Sequence, residues 1–207
     1  TGLMSSLSDG RQAAFGTSSL GVPYGRLRSY IDPWTSNNPT WARILNASYR
    51  PEAGTVVVLS AAEVFLSRVE AADRGWTGEG GSINSLYQQG INASFAQWGL
   101  AAPPAGYFTQ ASVAIPIAPG TAANIKNIAI QSFVAGYPDG LRGWNIWRRT
   151  GWPVLVPAPD ATNTSHLIPV RYTYGQTSYG SNTANVTAAA AALPGGDTPD
   201  SKIWWQQ

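Results

Sequence analysis

Large apolar side chains recur at helical spacing in the middle of the chain. The residues are Tyr87, Ile91, Phe95 and Trp98, separated by four, four and three positions. In an α-helix of 3.6 residues per turn they form a single stripe on one face. Gly99 follows directly, and glycine commonly occupies the left-handed position that ends a helix. The spacing therefore predicts an amphipathic helix that closes at Trp98.

A second helix signal precedes this stripe. Ser60-Ala61-Ala62-Glu63 has the Ser-x-x-Glu form of a capping box, in which the hydroxyl and the carboxylate satisfy otherwise unbonded backbone N–H groups. Gly75 follows Arg74, where a last-turn cation and a left-handed glycine are expected. We predict a helix from Ser60 to about Arg74. Its apolar face would consist of Ala61, Val64, Phe65, Val69 and Ala72.

These two helices should form an antiparallel hairpin of tetratricopeptide type, which cannot bury its apolar face without neighbours. Thr121 to Val134 is apolar nearly all round and predicts a central helix. A short helix is expected from Leu141 to Arg149. Asn182 can cap a final helix that runs to Leu193. The predicted fold class is mainly α, with long ordered loops.

The rest of the chain is rich in proline and glycine. Residues 1–58 carry prolines at positions 23, 33, 39 and 51 and no sustained apolar period, so we expect an ordered, loop-rich segment. Residues 59–100 hold the helical hairpin, and residues 101–207 hold helices and proline-rich loops. We predict a single domain over residues 1–207.

Residues 144–153 read WNIWRRTGWP, with three tryptophans and two adjacent arginines. Guanidinium planes stack on indole faces. We therefore predict a rigid, structural cation–π cluster in which Arg148 and Arg149 lie between Trp147 and Trp152.

Taken in order, these segments resemble the C-terminal part of SusD/RagB-type proteins. The similarity extends over nearly the whole chain, from Asp9-Gly10-Arg11 to Leu193-Pro194-Gly195-Gly196-Asp197 and Ser201 to Trp205. Its most specific parts are SAAEVFLSRVEAADRGW at residues 60–76, LYQQGINASFAQWGL at residues 86–100, and the Trp-Arg segment.

The resemblance implies a non-catalytic nutrient-binding lipoprotein on the outer face of a Gram-negative outer membrane. Such a protein binds a glycan, or in some members a peptide, and delivers it to a SusC-like TonB-dependent transporter. We expect this chain to be the C-terminal portion of a longer protein, whose lipid anchor lies in an N-terminal region absent here. A glycoside hydrolase and a tetratricopeptide-type protein-interaction module remain the alternatives.

Composition and residue types exclude several other functions. The formal net charge is +2, from 13 basic and 11 acidic residues, which argues against a nucleic-acid partner. The chain has one histidine, His166, and no cysteine, which leaves no zinc ligand set. A Ser-His-Asp triad would have to use His166, which we expect to be an exposed loop residue, and the chain has no Gly-x-Ser-x-Gly motif. Glu63 and Glu70 lie on one helix and cannot converge on a glycosidic bond as catalytic carboxylates do. We expect no metal and no cofactor.

Aromatic residues in predicted loops include Trp34, Trp41, Tyr107 and Phe108. Trp34, Trp41 and Tyr107 are the first to consider as ligand contacts. Rings held on loops can stack on sugar faces, so these residues are our ligand-binding candidates. Packing of the same rings onto the helices beneath is the alternative.

Overall fold

The computed structural model describes residues 2–18, 20–76, 78, 82–115 and 119–206. Within these ranges the chain forms α-helices and short 3₁₀ turns, and it contains no β-strand beyond one isolated antiparallel bridge between Gly16 and Ile44. The mainly α fold class is confirmed. The helices are α1 Gly2–Ser6, α2 Gln12–Phe15, α3 Arg28–Asn37, α4 Ala61–Asp73, α5 Ile83–Gln97, α6 Ala122–Ala135, α7 Gly140–Thr150, α8 Gln176–Ser181 and α9 Thr183–Ala191.

The chain divides into two compact units. The first, unit 1, comprises Thr1–Val22 and Thr35–Val154, and the second, unit 2, comprises Pro23–Trp34 and Leu155–Gln207. This division does not test the single domain expected over residues 1–207, which stays a prediction.

Helix α4 begins and ends where the sequence predicts. The Ser60 hydroxyl accepts a hydrogen bond from the Glu63 backbone N–H at 3.1 Å, as an N-cap should. At the other end Gly75 has a φ of +77°. The backbone N–H groups of Gly75 and Trp76 each donate to a last-turn carbonyl at 3.0 Å, which is the Schellman arrangement.

The buried face of α4 differs from the predicted one. The structure buries Ala62, Leu66, Val69 and Asp73, whereas Ala61 is exposed and Val64 is 44% exposed. The prediction was wrong because it centred the face on Ala61 and Val64, and so left out the apolar Ala62 and Leu66 as well as Asp73. That carboxylate is buried since the Asn124 side-chain amide donates to it at 2.5 Å.

Helix α5 packs its predicted stripe into the core. Tyr87, Ile91, Phe95 and Trp98 are all buried, as expected from their spacing. The helix lies against α4 at Gly90, where a methyl group in place of hydrogen would stand 2.9 Å from Leu66 Cγ. Glycine at this position is what allows the two helices to approach so closely.

Helix α6 is central, as predicted, and it buries polar as well as apolar side chains. Ile128, Ile130 and Val134 join the core, and Asn127 donates to the backbone carbonyl of Ala114 at 2.6 Å. Burial of an amide is tolerable when its hydrogen bonds are made.

A buried cluster of hydrogen-bonded polar side chains connects several segments of unit 1. We call it the Arg11 cluster, and its members are Asp9, Arg11, Ser94, Tyr107 and Gln131. Arg11 has no exposed surface, and its guanidinium donates to Asp9 at 2.9 and 2.5 Å, to Ser94 at 2.9 Å and to Gln131 at 2.8 Å. The Tyr107 hydroxyl donates to Asp9 at 2.6 Å.

Ionisation of Asp9 depends on this cluster. Burial by itself would raise the pKa of Asp9, but the hydrogen bonds and positive charge of Arg11, with the Tyr107 hydroxyl, more than offset it and hold that pKa below its usual range. Burial raises the pKa of Tyr107, so its hydroxyl keeps the proton that it donates.

Unit 2 is organised around Asp197, which lies in the Leu-Pro-Gly-Gly-Asp segment of the sequence. Its carboxylate accepts hydrogen bonds from Arg171 at 2.5 Å, from the Tyr179 hydroxyl at 2.9 Å and from the Tyr174 backbone N–H at 3.1 Å. One acidic side chain thus joins the segment before α8, α8 itself and the turn after α9.

Two other predictions need correction. Asn182 precedes α9 as expected, but its side chain does not cap the helix, because it accepts instead from the Asn185 side-chain amide at 2.7 Å. The loop-rich segment 1–58 contains α3, a ten-residue helix that the sequence did not indicate. Pro33 lies inside it, and an interior proline ordinarily argues against a helix because it removes a backbone donor.

Replacing Ser60 with alanine should destabilise the fold by about 0.5–2 kcal/mol, because a backbone donor at the start of α4 loses its acceptor. Urea denaturation would measure the change in the free energy of unfolding. Ser67→Ala, on an exposed face of the same helix, is the control and should change little. An unchanged midpoint for Ser60→Ala would contradict the capping role.

Replacing Asp9 with asparagine should destabilise the fold by about 3–5 kcal/mol, since Arg11 would be left as a buried charge without its counterion. The lowered pKa of Asp9 also gives a pH dependence. Its contribution is present above the unfolded-state pKa of about 4 and is lost as the pH falls through the lower folded-state value. Acid titration of the unfolding free energy should therefore be flatter in Asp9→Asn than in the wild type, and equal slopes would refute the assignment.

Candidate ligand-binding cleft

A cavity of about 530 Å³ opens in unit 1 between the N-terminal segment and the turn that joins α6 to α7. Ligand sites are typically clefts of about 300–1,000 Å³ with mainly apolar walls and a few polar groups. The apolar lining includes Leu3, Phe15, Ile44, Phe133, Tyr137 and Pro138. We refer to this cavity as the cleft.

Two paired loops form one wall of the cleft. The Leu45 backbone N–H donates to the Phe15 carbonyl at 3.0 Å, the Ala42 N–H donates to the Leu20 carbonyl at 2.8 Å, and the Arg43 N–H donates to the Thr17 hydroxyl at 3.0 Å. This pairing holds residues 42–45 beside residues 15–18 and Leu20. Side chains on the paired segment therefore have fixed positions although they belong to loops.

Trp41 directly precedes this paired segment, and Arg43 lies on it. The Arg43 guanidinium carbon is 3.6 Å from the centroid of the Trp41 ring, a cation–π contact, and Arg43 also lines the cleft. Trp41 is half-buried. One of the three candidate aromatic residues, Trp41, thus contacts a residue of the cleft lining without being part of that lining itself.

Tyr137 extends this wall beyond Phe15. Its ring stacks on Phe15, with centroids 4.3 Å apart and planes at 20°, and its hydroxyl donates to the Phe15 carbonyl at 2.7 Å. Burial raises the pKa of Tyr137, which keeps the hydroxyl protonated. The wall is therefore rigid on the side where the two aromatic rings meet.

Polar groups at the cleft are few and suit binding better than acid–base chemistry. The cleft is also lined by Gln12, Ser18 and the carboxylate of Asp139. Asp139 caps α7, because it accepts from the backbone N–H groups of Leu141 and Arg142 at 3.0 and 3.2 Å. Among the described residues that line the cleft, no second carboxylate accompanies Asp139 to cleave a glycosidic bond.

The other two candidate residues lie elsewhere. Trp34 is half-buried within α3, so the expectation that it sits in a loop was wrong. Tyr107 is only 3% exposed and belongs to the Arg11 cluster, so this ring follows the alternative of packing in the interior. Its hydroxyl is buried because it satisfies Asp9 and accepts from Gln131 at 2.9 Å. Ligand contact by Trp34, Trp41 or Tyr107 stays a prediction.

Sequence reasoning missed Phe15, Tyr137 and Asp139 as cleft residues. A signal for Asp139 was available, since an aspartate directly before a helix is a common N-cap. Phe15 and Tyr137 are 122 positions apart in the sequence, and no local sequence pattern predicts the contact between them.

The Trp-Arg segment forms a structural cluster with partners other than those predicted. Arg148 lies over Trp144, with its guanidinium carbon 4.1 Å from the ring centroid. Arg149 forms a two-point ion pair with Glu70 on α4, whose second arginine partner is Arg74 at 2.9 Å. Glu70 and Arg74 thus form an i, i+4 ion pair on α4. Burial would raise the pKa of Glu70, but Arg149 and Arg74 lower it below its usual range.

Comparison with known proteins decides the family. A family model of SusD-like proteins, described as starch-binding and associating with the outer membrane, matches residues 3–175. This chain belongs to the SusD-like family. None of the curated proteins compared with it matches.

Solved SusD-like structures share the fold of this chain. A chitin-binding SusD homologue from Flavobacterium johnsoniae is 26% identical, with a TM-score of 0.80 over 99% of this chain and 48% of its own. A SusD-like protein from Bacteroides thetaiotaomicron is 25% identical, with a TM-score of 0.79 over 98% and 48%. A SusD homologue from Bacteroides uniformis is 25% identical, with a TM-score of 0.77 over 99% and 48%. This SusD-like chain thus spans about half the length of these relatives.

No helix in the described part of the SusD-like chain combines the length and the apolar character that a membrane crossing requires.

Replacing Arg149 with lysine should destabilise unit 1 by about 1 kcal/mol, because lysine keeps the charge but loses the two-point geometry on the Glu70 carboxylate, which is only 14% exposed. Thermal unfolding followed by circular dichroism would measure the loss. Arg28→Lys is the control, since Arg28 pairs with Asp32 on an exposed surface. Equal losses of stability for the two substitutions would show that the Arg149–Glu70 pair stabilises the fold no more than an exposed ion pair does.

Proposed function

We propose that this SusD-like chain contributes to non-catalytic binding of a glycan at the outer surface of the outer membrane. The observation that carries the proposal is the family match over residues 3–175, because the matched family is described as starch-binding. The chitin-binding relative from Flavobacterium johnsoniae supports a carbohydrate ligand in particular.

The chemistry of the cleft supports the same conclusion. Sugars present apolar C–H faces and rings of hydroxyl groups, so they bind to aromatic surfaces flanked by neutral hydrogen-bonding groups. The cleft offers the aromatic wall of Phe15 and Tyr137 together with the Gln12 amide and the Ser18 hydroxyl. Trp41 is the first candidate for stacking, because Arg43 joins it to the cleft. Trp34 and Tyr107 follow it as candidates.

In this proposal the intact protein is anchored by lipid and passes its ligand to a SusC-like TonB-dependent transporter. The lipid anchor and the transporter partner are inferred from the family alone. The chain spans about half the length of its structural relatives, so it does not contain the whole of such a protein. In the described part of the cleft lining, Asp139 supplies the one carboxylate and serves as a helix cap, which favours binding over glycoside hydrolysis.

Alanine at Trp41 should weaken glycan binding by about tenfold while leaving the melting temperature nearly unchanged, as expected of a ring that is not part of the core. Isothermal titration calorimetry of the full-length protein with maltoheptaose and chitohexaose would measure the affinity.

Alanine at Phe95 is the opposite control. Its ring is buried and lies 4.8 Å from the Arg11 guanidinium carbon, so the substitution should reduce stability by about 3–5 kcal/mol. If the wild-type protein binds neither oligosaccharide, glycan binding by this protein is wrong. Release of reducing ends during the titration would instead support the glycosidase alternative.

A further inference from the structure

A second and larger cavity lies in unit 1, on the far side of the α6–α7 turn from the cleft. Its volume is about 850 Å³, and we call it the tyrosine groove. It is bounded by residues 48–57, by the end of α5 at Gln97 and Trp98, and by the turn at residues 135–139. The groove and the cleft share Tyr137, Pro138 and Asp139, so this turn separates two cavities.

Aromatic side chains fix the shape of the tyrosine groove. The Tyr49 hydroxyl donates to the Trp98 carbonyl at 2.6 Å, and the Tyr49 and Trp98 rings meet edge to face with centroids 5.3 Å apart. Trp98 also meets Phe15 edge to face at 5.3 Å. These contacts hold Tyr49 half-buried at the groove without covering it. A flat ring that is held in place is a suitable platform for the apolar face of a sugar.

Several polar groups of the groove have no hydrogen-bond partner in the part of the chain that the structure describes. Trp98 is only 7% exposed, and its indole N–H is buried without an acceptor. A buried donor without an acceptor is unfavourable, so a ligand oxygen that reached it would be stabilised. Gln97 lines the groove, and no bond from its side-chain amide to a described residue is found.

The charged groups that line the groove disfavour an anionic ligand. Arg142 is the basic residue in the lining, and its guanidinium is bonded to Glu63, to the Val58 carbonyl and, at 3.2 Å, to Asp139. Among the described residues of the lining no other cation is available for a phosphate or a carboxylate, and Glu52 adds a negative charge. The carboxylate of Glu52 accepts hydrogen bonds, the amide and the indole N–H donate them, and the aromatic faces are apolar, which together match a neutral ligand rich in hydroxyl groups.

We infer that the tyrosine groove is a second glycan subsite, in which Gln97 and Trp98 bond hydroxyl groups of a neutral oligosaccharide and Tyr49 supplies the stacking surface. The inference rests on the proposed function and adds a location to it. None of these residues was among the candidates that the sequence indicated.

Gln97→Ala is the deciding variant, because it deletes the amide from the last residue of α5 and leaves the aromatic contacts in place. Isothermal titration calorimetry of the full-length protein with maltoheptaose and chitohexaose should give a dissociation constant raised about tenfold, the effect of one lost hydrogen bond of that strength. Gln88→Ala is the matched control, since Gln88 is an exposed glutamine on the same helix and does not line the groove. It should bind as the wild type does.

The outcomes separate the two proposals. If Gln97→Ala binds like Gln88→Ala while Trp41→Ala binds weakly, glycan binding stands and the tyrosine groove is not a subsite. If the wild type binds neither oligosaccharide, both proposals are overturned. Weaker binding by Gln97→Ala with an unchanged melting temperature supports the groove, whereas weaker binding accompanied by a lowered melting temperature in proportion would overturn it in favour of a structural role for Gln97.

Discussion

The buried ion pair of Asp9 and Arg11 is the constraint on which unit 1 depends. A guanidinium without exposed surface requires an acceptor for its donors, and here the acceptors come from three other parts of the chain, namely Ser94 on α5, Tyr107 in a 3₁₀ turn and Gln131 on α6. Apolar packing tolerates small shifts between helices, but this set of bonds does not. The pair therefore contributes more to fixing one arrangement than to net stability, since burying charge carries its own penalty.

That fixed arrangement reaches the surface through α6. The helix carries Gln131 in the cluster and ends at the turn that separates the cleft from the tyrosine groove. The hydroxyl of Tyr137 in this turn donates a hydrogen bond to the backbone carbonyl of Phe15. Phe15 lies shortly after the Asp9–Arg11 segment in the sequence. Both cavities are thus lined by residues that lie close along the chain to members of the Arg11 cluster. The buried cluster therefore helps to fix the positions of the residues proposed to contact ligand.

Local signals in the sequence were sufficient for the helices α4 to α7, because caps, left-handed glycines and apolar stripes act over a few residues. They failed where a distant partner decides the outcome. Asp73 is buried because Asn124 bonds it, and Tyr107 is buried because Asp9 and Arg11 bond it. In both cases a polar side chain that would be expected at the surface is buried, because it forms a hydrogen bond with a residue more than fifty positions away in the sequence. Trp41 could be placed from sequence on a loop, but its cleft could not, since Phe15 and Tyr137 meet only in the folded chain.

The contact of α4 and α5 at Gly90 has a consequence for attempts to engineer the protein. Glycine inside a helix is less favourable than alanine by about 1 kcal/mol, so propensity scales would rank Gly90→Ala among the most attractive stabilising changes in the chain. The added methyl group would stand 2.9 Å from Leu66 Cγ and 3.3 Å from Phe65 Cβ, which forces the helices apart. Ser94 and Phe95 lie one turn further along α5, and both contact Arg11. A displacement of α5 by the added methyl group would therefore also disturb these contacts. A substitution chosen to strengthen one helix would therefore loosen the interior that two helices share.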